Sequence, residues 1–171
     1  MPTATTDWNS VRNTAALAIE ALTPEVVTAS RYQTTSTERA SFRAHAAASD
    51  ASIFRQFDIV PAGTIFLTAE DQDVQLRETE FEIIVAYPWH WSLYDVAGLQ
   101  ALTKRIRNYH AMVALIEKDT NQIMEAVGRR GAANYASGQH AALEAGWRIE
   151  DGEGVSFGVI AARAIYYYDA S

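Results

Sequence analysis

The sequence predicts an α+β domain whose helices pack on one face of a mixed, mainly antiparallel sheet. Three observations lead to this fold class. Two stretches place apolar residues at helical spacing, several others alternate apolar with polar residues, and a terminal β-hairpin pattern closes the C-terminus. With 171 residues, of which 49% are hydrophobic and 20% charged, the chain has the size and balance of a single domain, residues 1–171.

An amphipathic helix is expected at residues 7–22, where Asp7 or Asn9 can cap the first turn. The apolar positions at roughly helical spacing are Val11, Ala15, Leu17, Ile19 and Leu22. The dipeptide Thr23-Pro24 ends this helix, because the residue before a proline is pushed out of the helical region of backbone space.

Residues 25–51 have no firm period and are rich in serine, threonine and alanine. We expect an extended loop or arm here, with room for a short helix from Glu38 to Ala48. A connection of this length inside a compact domain often has a function of its own.

Three strands are predicted next, at residues 52–61, 63–70 and 74–88. In the last of them one set of alternate residues is apolar and the other is acidic over the first half of the strand. The apolar set is Phe81, Ile83, Val85 and Tyr87, and the acidic set is Glu78, Glu80 and Glu82. One face of this strand is therefore expected in the core and the other in solvent, as in an antiparallel sheet with one wet face.

A principal helix is expected to start at Asp95, with apolar residues mostly on one face as far as Ile116. Residues 108–110 could interrupt it. The following stretch, residues 120–131, is predicted to be a second short helix or an ordered connection.

The chain is predicted to end in a hairpin, with strands at residues 143–149 and 155–168 and a turn at residues 150–154. Along the last strand the apolar residues change parity, from Val155, Phe157 and Val159 to Ile160, Ala162, Ala164 and Tyr166. Such a change indicates either a β-bulge or a strand buried on both sides.

The composition makes several function classes unfavourable. The chain has no cysteine, which excludes disulfides, thiolate catalysis and cysteine-ligated metals. Its net charge of −7 opposes unassisted binding to a nucleic-acid backbone. No apolar run approaches the ~20 residues that span a bilayer, and the first residues lack the pattern of a secretion signal. We therefore expect a chain that folds in a cytoplasm, or is packaged from one.

No catalytic, cofactor-binding or metal-binding residues are predicted. The four histidines, His45, His90, His110 and His140, are not spaced as metal ligands. The acidic groups Glu70, Asp71 and Asp73, and Glu150, Asp151 and Glu153, fall at predicted turns, where acidic residues usually serve solvation. The segment "VGRRGAANYASGQ" could bind an anion, but a connecting loop that meets solvent or a neighbouring subunit is favoured.

Aromatic residues are concentrated in two places. Trp89, Trp91 and Tyr94 lie where the long strand leads into the main helix, and residues 166–168 are three consecutive tyrosines. Because consecutive side chains on a strand point to opposite faces, these tyrosines cannot all face one core. The alternatives are a core with some excess aromatics, or an interface, in which such residues are enriched.

The order of three segments resembles the tail terminator proteins of long-tailed bacteriophages and, more loosely, other small ring-forming neck and tail-completion proteins. The segments are the strand "RETEFEIIVAYP", the helix begun by Asp95, and the closing hairpin "EAGWRIEDGEGVSFGVIAARAIYYY". Each motif is weak by itself, and the similarity covers roughly residues 54–168.

The resemblance implies a hexameric ring that caps the finished tail tube and presents a surface to the head-side neck or connector protein. Genomic DNA would pass through the lumen without specific binding, which suits an acidic chain. It also implies a virion protein of the tail or neck, assembled in the host cytoplasm, with no enzyme activity, cofactor or membrane contact. The 25–51 segment is longer than in a minimal terminator, which leaves open another neck component or an arm reaching over a neighbour.

In this interpretation a set of aromatic and basic residues is expected at contacts between subunits or rings. The set is Trp89, Trp91, Tyr94, Arg129, Arg130, Tyr166 and Tyr168. Two other functions stay open. One is a head-completion or stopper protein of the neck, and the other is a cytoplasmic small-molecule-binding protein or enzyme that uses His90, Asp95, Arg129 and Arg130.

Overall fold

A computed structural model describes most of the chain. The described residues are 7–24, 31–34, 42, 53–69, 74–89, 101–134 and 140–169, with side chains described outside 65–69, 74–76, 101–108, 128–134, 140–145 and 167–169. They form two helices and five strands: α1 (Trp8–Glu20), β1 (Gln33–Thr34), β2 (Gln56–Ala69), β3 (Val74–Pro88), α2 (Ala101–Asn134), β4 (His140–Asp151) and β5 (Val155–Asp169).

The five strands form one sheet in the order β1-β2-β3-β5-β4. Strand β1 is parallel to β2, and the other neighbours are antiparallel. The last two strands form the long hairpin expected at the C-terminus, with β5 inserted between β3 and β4. The fold is therefore α+β with a mixed, mainly antiparallel sheet, as the sequence predicts.

Both helices pack on the same face of the sheet, which we call the inner face. The main core lies between them and this face, and its members include Val11, Ile19, Phe57, Phe81, Ile83, Tyr87, Met112, Ile116, Ile123 and Tyr166. The helices contribute one stripe each, alternate residues of β2, β3 and β5 contribute most of the rest, and Tyr32 and Phe54 join the core from just before β1 and β2. Burial of this apolar surface supplies the main driving force for folding.

Helix α1 begins as predicted at Asp7, whose carboxylate accepts a hydrogen bond of 2.8 Å from the backbone N–H of Ser10. This bond lowers the pKa of Asp7. The prediction that Leu17 belongs to the buried stripe is wrong, because its side chain is 66% exposed. At 3.6 residues per turn, Leu17 lies roughly opposite Ala15 and Ile19, which are buried.

Strand β2 is one continuous strand, where the sequence suggested two. Its pairing with β3 continues across a register shift between Pro61 and Gly63, so the proline and glycine mark an irregularity in the strand and do not end it. The expected start at Ser52 is also wrong. Arg55, just before β2, has a left-handed backbone with φ of 61°.

The outer edge of β2 pairs with β1 only at Gln56 and Phe57. Just beyond, Arg12 of α1 donates from Nε to the carbonyl of Ile59 at 3.3 Å, so this carbonyl points away from β3. Pro61, two residues on, has the same orientation, and its missing N–H therefore removes no hydrogen bond to β3.

Residues 33–34, within the segment expected to be an extended loop or arm, form the short parallel strand β1. Phe42 is buried on the face of the sheet opposite the helices, which we call the outer face. The centroids of its ring and of the Phe157 ring lie 6.2 Å apart. The rest of the short helix suggested at Glu38 to Ala48 lies outside the described residues.

Strand β3 has the predicted bounds, and its predicted apolar set faces the main core. On its outer face Glu80 is exposed, whereas Ile84 and Ala86 are buried in a second apolar cluster with Val155, Phe157 and Val159 of β5. The pairing of β3 with β5 runs without a register shift. The change of parity along β5 therefore reflects a strand that is buried on both faces of the sheet, and not a β-bulge in β5.

Helix α2 is a single helix of 34 residues, so the interruption that the sequence left open near residues 108–110 does not occur. Its buried stripe is continuous through Met112, Ile116, Ile123 and Val127, so the helix packs on the sheet without a break where the sequence predicted a second short helix or an ordered connection. The expected start at Asp95 lies outside the part of the chain that the structure describes.

A buried ion pair joins α2 to the sheet. Arg55 donates from Nε and Nη2 to the two carboxylate oxygens of Asp119, at 2.7 and 2.8 Å, and both side chains are at most 1% exposed. The hydroxyl of Tyr87 donates to the same carboxylate at 2.9 Å. The guanidinium carbon lies 5.0 Å from the centre of the Phe54 ring and 5.5 Å from that of Tyr32. Burial, and then the charge of Asp119, raise the pKa of Tyr87 well above its ordinary value.

We expect the substitution Asp119→Asn to lower the free energy of unfolding by about 3–5 kcal/mol, because it removes the charge of one partner from a buried ion pair. Urea denaturation followed by circular dichroism measures the loss. The matched control is Arg148→Gln, which removes a largely exposed pair with Glu82 and should cost no more than ~1 kcal/mol. Equal losses in the two variants would contradict this account of the ion pair.

Helix α2 approaches β5 closely at Gly158. A Cβ at this position would lie 3.1 Å from Cγ2 of Ile116 and 3.4 Å from Oγ1 of Thr120. We expect Gly158→Ala to cost about 1–3 kcal/mol of unfolding free energy, because it overpacks this contact. The control is Gly63→Ala, where an added Cβ meets nothing within 4 Å and should leave stability within about 1 kcal/mol. A harmless Gly158→Ala would show that the helix can move away from the sheet at little cost.

Candidate assembly surface at one end of the sheet

At one end of the sheet, strands β3 and β4 end and strand β5 begins. Pro88, the last residue of β3, pairs with Val155, the first of β5, and β4 ends nearby at Asp151. Trp89 follows β3 directly, and its backbone N–H donates to the carbonyl of Gly154 in the hairpin turn at 2.9 Å. The main chain of Trp89 is thus fixed to the turn between β4 and β5.

A chain of side-chain hydrogen bonds connects this end of the sheet to α2. The indole Nε1 of Trp89 donates to Oγ of Ser156 at 2.8 Å, and that hydroxyl donates to Oδ1 of Asp151 at 2.6 Å. The hydroxyl of Tyr109 in α2 donates to Oδ2 of the same carboxylate at 3.3 Å. One carboxylate therefore positions two aromatic rings that come from different elements.

The rings are held in place and yet reach solvent. Trp89 is 38% exposed and Tyr109 is 37% exposed, and Asp151 at the end of β4 and Glu153 in the following turn are also exposed. We call these four residues the end surface. The indole N–H and the phenol O–H both have partners within the chain, so the rings offer mainly apolar area and π-faces to another molecule.

The electrostatics of the end surface are dominated by Asp151. Its negative charge is the main reason that the pKa of the Tyr109 hydroxyl is raised above its ordinary value of 10.0, with partial desolvation and the hydrogen bond as smaller causes. Glu153 adds a second acidic group in the turn. The surface thus combines aromatic rings with negative charge, a combination that favours an apolar or cationic partner group.

Such a surface is suited to binding a partner molecule. Rings already fixed by hydrogen bonds lose little conformational entropy on association, and exposed tryptophan and tyrosine often dominate interface energies. Within the described residues there is no group of three or more side chains of the kinds that ligate metals. No helix in the same part of the chain is long and apolar enough to cross a membrane.

Of the residues expected at interfaces, Trp89 has a surface position that fits the expectation. Tyr166 does not, because it is 1% exposed in the main core and its hydroxyl is hydrogen-bonded to that of Thr79 at 2.8 Å. Its side chain is a core contact and is not accessible to a partner. Tyr168 lies in β5 opposite Gln75, with its side chain outside the described part of the structure.

The remaining expected interface residues divide into two groups. Trp91 and Tyr94 lie outside the described residues. Arg129 and Arg130 lie in the C-terminal part of α2, and the structure describes their backbone but not their side chains. The prediction for these four residues therefore remains a prediction.

Among the described residues, the side chains considered for catalysis do not lie together. His110 is exposed on α2, with its ring 6.2 Å from that of Tyr109, and His140 begins β4 at the opposite end of that strand from Asp151. His45, His90 and Asp95 lie outside the described residues, as do Glu70, Asp71 and Asp73. Glu150 accepts hydrogen bonds from Arg148 on the outer face of the sheet.

Sequence reasoning missed Tyr109 of the end surface and the buried Ser156 that links Trp89 to Asp151. Tyr109 falls within "NYH", where the sequence leaves open an interruption of the helix, and Ser156 is one polar residue within an alternating strand. An aromatic residue between two polar ones in an otherwise helical pattern was the available signal. Its contact with Asp151, 42 residues away, was not predictable from local pattern.

Comparisons with known proteins leave the family undetermined. No protein-family model matches the chain, and a search of curated proteins finds no match. The functional proposal therefore depends on the fold, the end surface and the sequence resemblance.

We expect the pKa of Tyr109 to lie above 10.0 in the folded chain and to fall toward that value in the variant Asp151→Asn, which removes the nearby charge. Because the pKa of Tyr109 is higher in the folded state, its protonated hydroxyl contributes to the stability of the fold. This contribution is fully present below pH 10 and is lost as the pH rises through the folded-state pKa. NMR of ring-labelled tyrosine measures the titration, and the variant Tyr109→Phe assigns the signal. Identical midpoints with and without the Asp151 charge would contradict the description of this site.

Proposed function

We propose that this chain is a structural virion protein that forms a ring, caps a bacteriophage tail tube and joins it to the head-side connector. The observation that supports the proposal most is the end surface, where Trp89 is fixed by two hydrogen bonds and still exposed. A protein that functions by assembly needs preorganised contact residues of this kind. The fold class and the long closing hairpin agree with the tail terminator proteins that the sequence resembles.

The distribution of exposed apolar residues also supports an assembly role for the end surface. Four large hydrophobic side chains are exposed among the described residues: Leu17, Val60, Trp89 and Tyr109. Leu17 and Val60 lie apart, on α1 and β2, as scattered surface residues commonly do. Trp89 and Tyr109 are joined through Ser156 and Asp151 into one surface, which distinguishes them from the other two.

The net charge fits a ring through which DNA passes. At −7 per chain, a ring of several copies is strongly acidic and would repel the duplex, which allows passage without retention. In this proposal the partners are further copies of the chain, the tail tube protein and the head-side neck or connector protein. The location is the tail or neck of the virion, the copies assemble in the host cytoplasm, and no bond-making step is involved.

We expect the purified chain to form a hexameric ring with a central hole, seen as a six-fold mass in mass photometry and as rings in negative-stain images. The variant Trp89→Ala should remain folded by circular dichroism but lose the rings, since large aromatic anchors dominate such contacts. Leu17→Ala is the matched control, because it removes an exposed apolar side chain elsewhere and should leave the rings intact.

Two outcomes would count against the proposal. A wild-type chain that stays monomeric at high concentration would contradict ring formation itself. A ring that co-purifies with isolated heads and not with isolated tails would identify a head-completion or stopper protein instead of a terminator.

A further inference from the structure

Strand β4 forms one edge of the sheet over the part of the chain that the structure describes. It pairs with β5 on one side, and no described strand pairs with its other side. Its pairing with β5 has a register shift between Glu144 and Gly146 and is regular from Trp147 to Asp151, where the strand ends. The regular part of this open edge is therefore residues 147–151, with Ile149 in the middle.

The hairpin shows which backbone groups of this stretch point outward. The N–H of Gly152 donates to the carbonyl of Val155 at 2.7 Å, so these two residues form a hydrogen-bonded pair. Hydrogen-bonded and non-hydrogen-bonded pairs alternate along an antiparallel ladder. The residues of β4 whose N–H and C=O groups point to the open edge are therefore Trp147, Ile149 and Asp151. These outward groups have no backbone partner within the described ranges.

Two oppositely charged side chains flank the middle of the open edge. Arg148 precedes Ile149 and Glu150 follows it, and their side chains are 48% and 32% exposed. Both lie on the outer face of the sheet, where Arg148 donates hydrogen bonds to Glu150 and to Glu82. Reversing the strand direction about Ile149 exchanges the positive and the negative position. The edge is therefore complementary in charge to a reversed copy of itself.

We propose that β4 pairs with β4 of a second copy in antiparallel orientation, about a two-fold axis at Ile149. In this contact Ile149 lies opposite Ile149 of the second copy, and the outward backbone groups form about six hydrogen bonds between the copies. Arg148 lies opposite Glu150 of the second copy, twice by symmetry. These are non-hydrogen-bonded pairs, in which opposite side chains lie closest and attract most strongly.

Charge also selects this register over its neighbours. Opposite residues in a sheet share a face, so the pairing can shift only in steps of two residues. One such shift places Arg148 opposite Arg148 of the second copy, and the reverse shift places Glu150 opposite Glu150. Like charges directly opposite each other are destabilising. Edge charges commonly discourage strand addition, and here they do so in the neighbouring registers but not in the proposed one.

The contact is of a different type from the contacts that build a ring. The same surface of each copy meets itself, so the pairing closes at two copies. It is built on β4 and not on the rings of Trp89 and Tyr109, so it goes beyond the proposed function and does not depend on it. A second copy is the favoured occupant because every copy carries the required charges in the reversed order.

A cysteine at the two-fold axis tests the contact. Opposite Cα atoms in a hydrogen-bonded pair lie ~5.5 Å apart, which a disulfide spans, and the natural chain has no cysteine. We expect Ile149→Cys to form a covalent dimer in a glutathione redox buffer, seen on a non-reducing denaturing gel. This measurement does not respond to ring contacts elsewhere. The control is Glu80→Cys, exposed on the outer face of the central strand β3, which should remain monomeric.

Charge reversal tests the register. In the Ile149→Cys chain, Arg148→Glu and Glu150→Arg each place like charges opposite each other and should weaken dimer formation by about 10-fold. An equimolar mixture of the two variants should restore it, because opposite charges then meet at both pairs, and mass spectrometry should identify the product as the mixed dimer. The control is Arg163→Glu, which removes an outer-face ion pair with Glu78 away from this edge and should leave dimer formation unchanged.

Circular dichroism shows whether each variant is folded. If Ile149→Cys is unfolded, native mass spectrometry of the two charge variants without the cysteine gives the same comparison. A folded Ile149→Cys chain that stays monomeric, or a mixture that contains no excess of the mixed dimer, would overturn the pairing of β4 and leave the proposed ring standing. A disulfide dimer from a chain that forms no rings would support the pairing and overturn the proposed function.

Discussion

The buried pairing of Arg55 with Asp119 is the constraint on which the rest of the structure depends. Removing two charges from water costs several kcal/mol per ion, and the cost is offset only when partners and geometry are complete. Here Asp119 accepts hydrogen bonds from both Arg55 nitrogens and from Tyr87, and the guanidinium lies against two aromatic rings. These requirements permit one placement of α2 relative to β3 and to the residues that precede β2.

Fixing α2 at Asp119 also fixes the end surface. Tyr109 lies ten residues earlier in the same helix, about 15 Å along its axis, where it meets Asp151. The close approach of Gly158 to Ile116 and Thr120 lies at the level of Asp119 and keeps the helix against β5. The position of an exposed aromatic ring at the edge of the molecule is therefore determined by an ion pair in its core.

Local patterns predicted much of the fold and little of the site. The bounds of β3 and the presence of a closing hairpin follow from alternation and turn residues, which act over a few positions, whereas the first hairpin strand is longer than the predicted residues 143–149. The continuity of α2 and the pairing of Arg55 with Asp119, 64 residues apart, depend on tertiary packing. For the three C-terminal tyrosines, alternation shows that they cannot share one face, but it cannot show that Tyr166 takes the core position. Trp89 was identified because its neighbourhood is unusually aromatic, whereas Tyr109 required the structure.

The edge of β2 has a consequence for how copies of the chain meet. An open strand edge is a template on which another chain can add a strand, and repeated addition leads to amyloid-like aggregates. At Ile59 the carbonyl is already occupied by Arg12, and at Pro61 the outward N–H is missing. Over these residues the sheet cannot be extended by backbone pairing unless Arg12 is displaced. Crowded copies are thus protected there from fibril growth, and side-chain contacts remain available for ordered association.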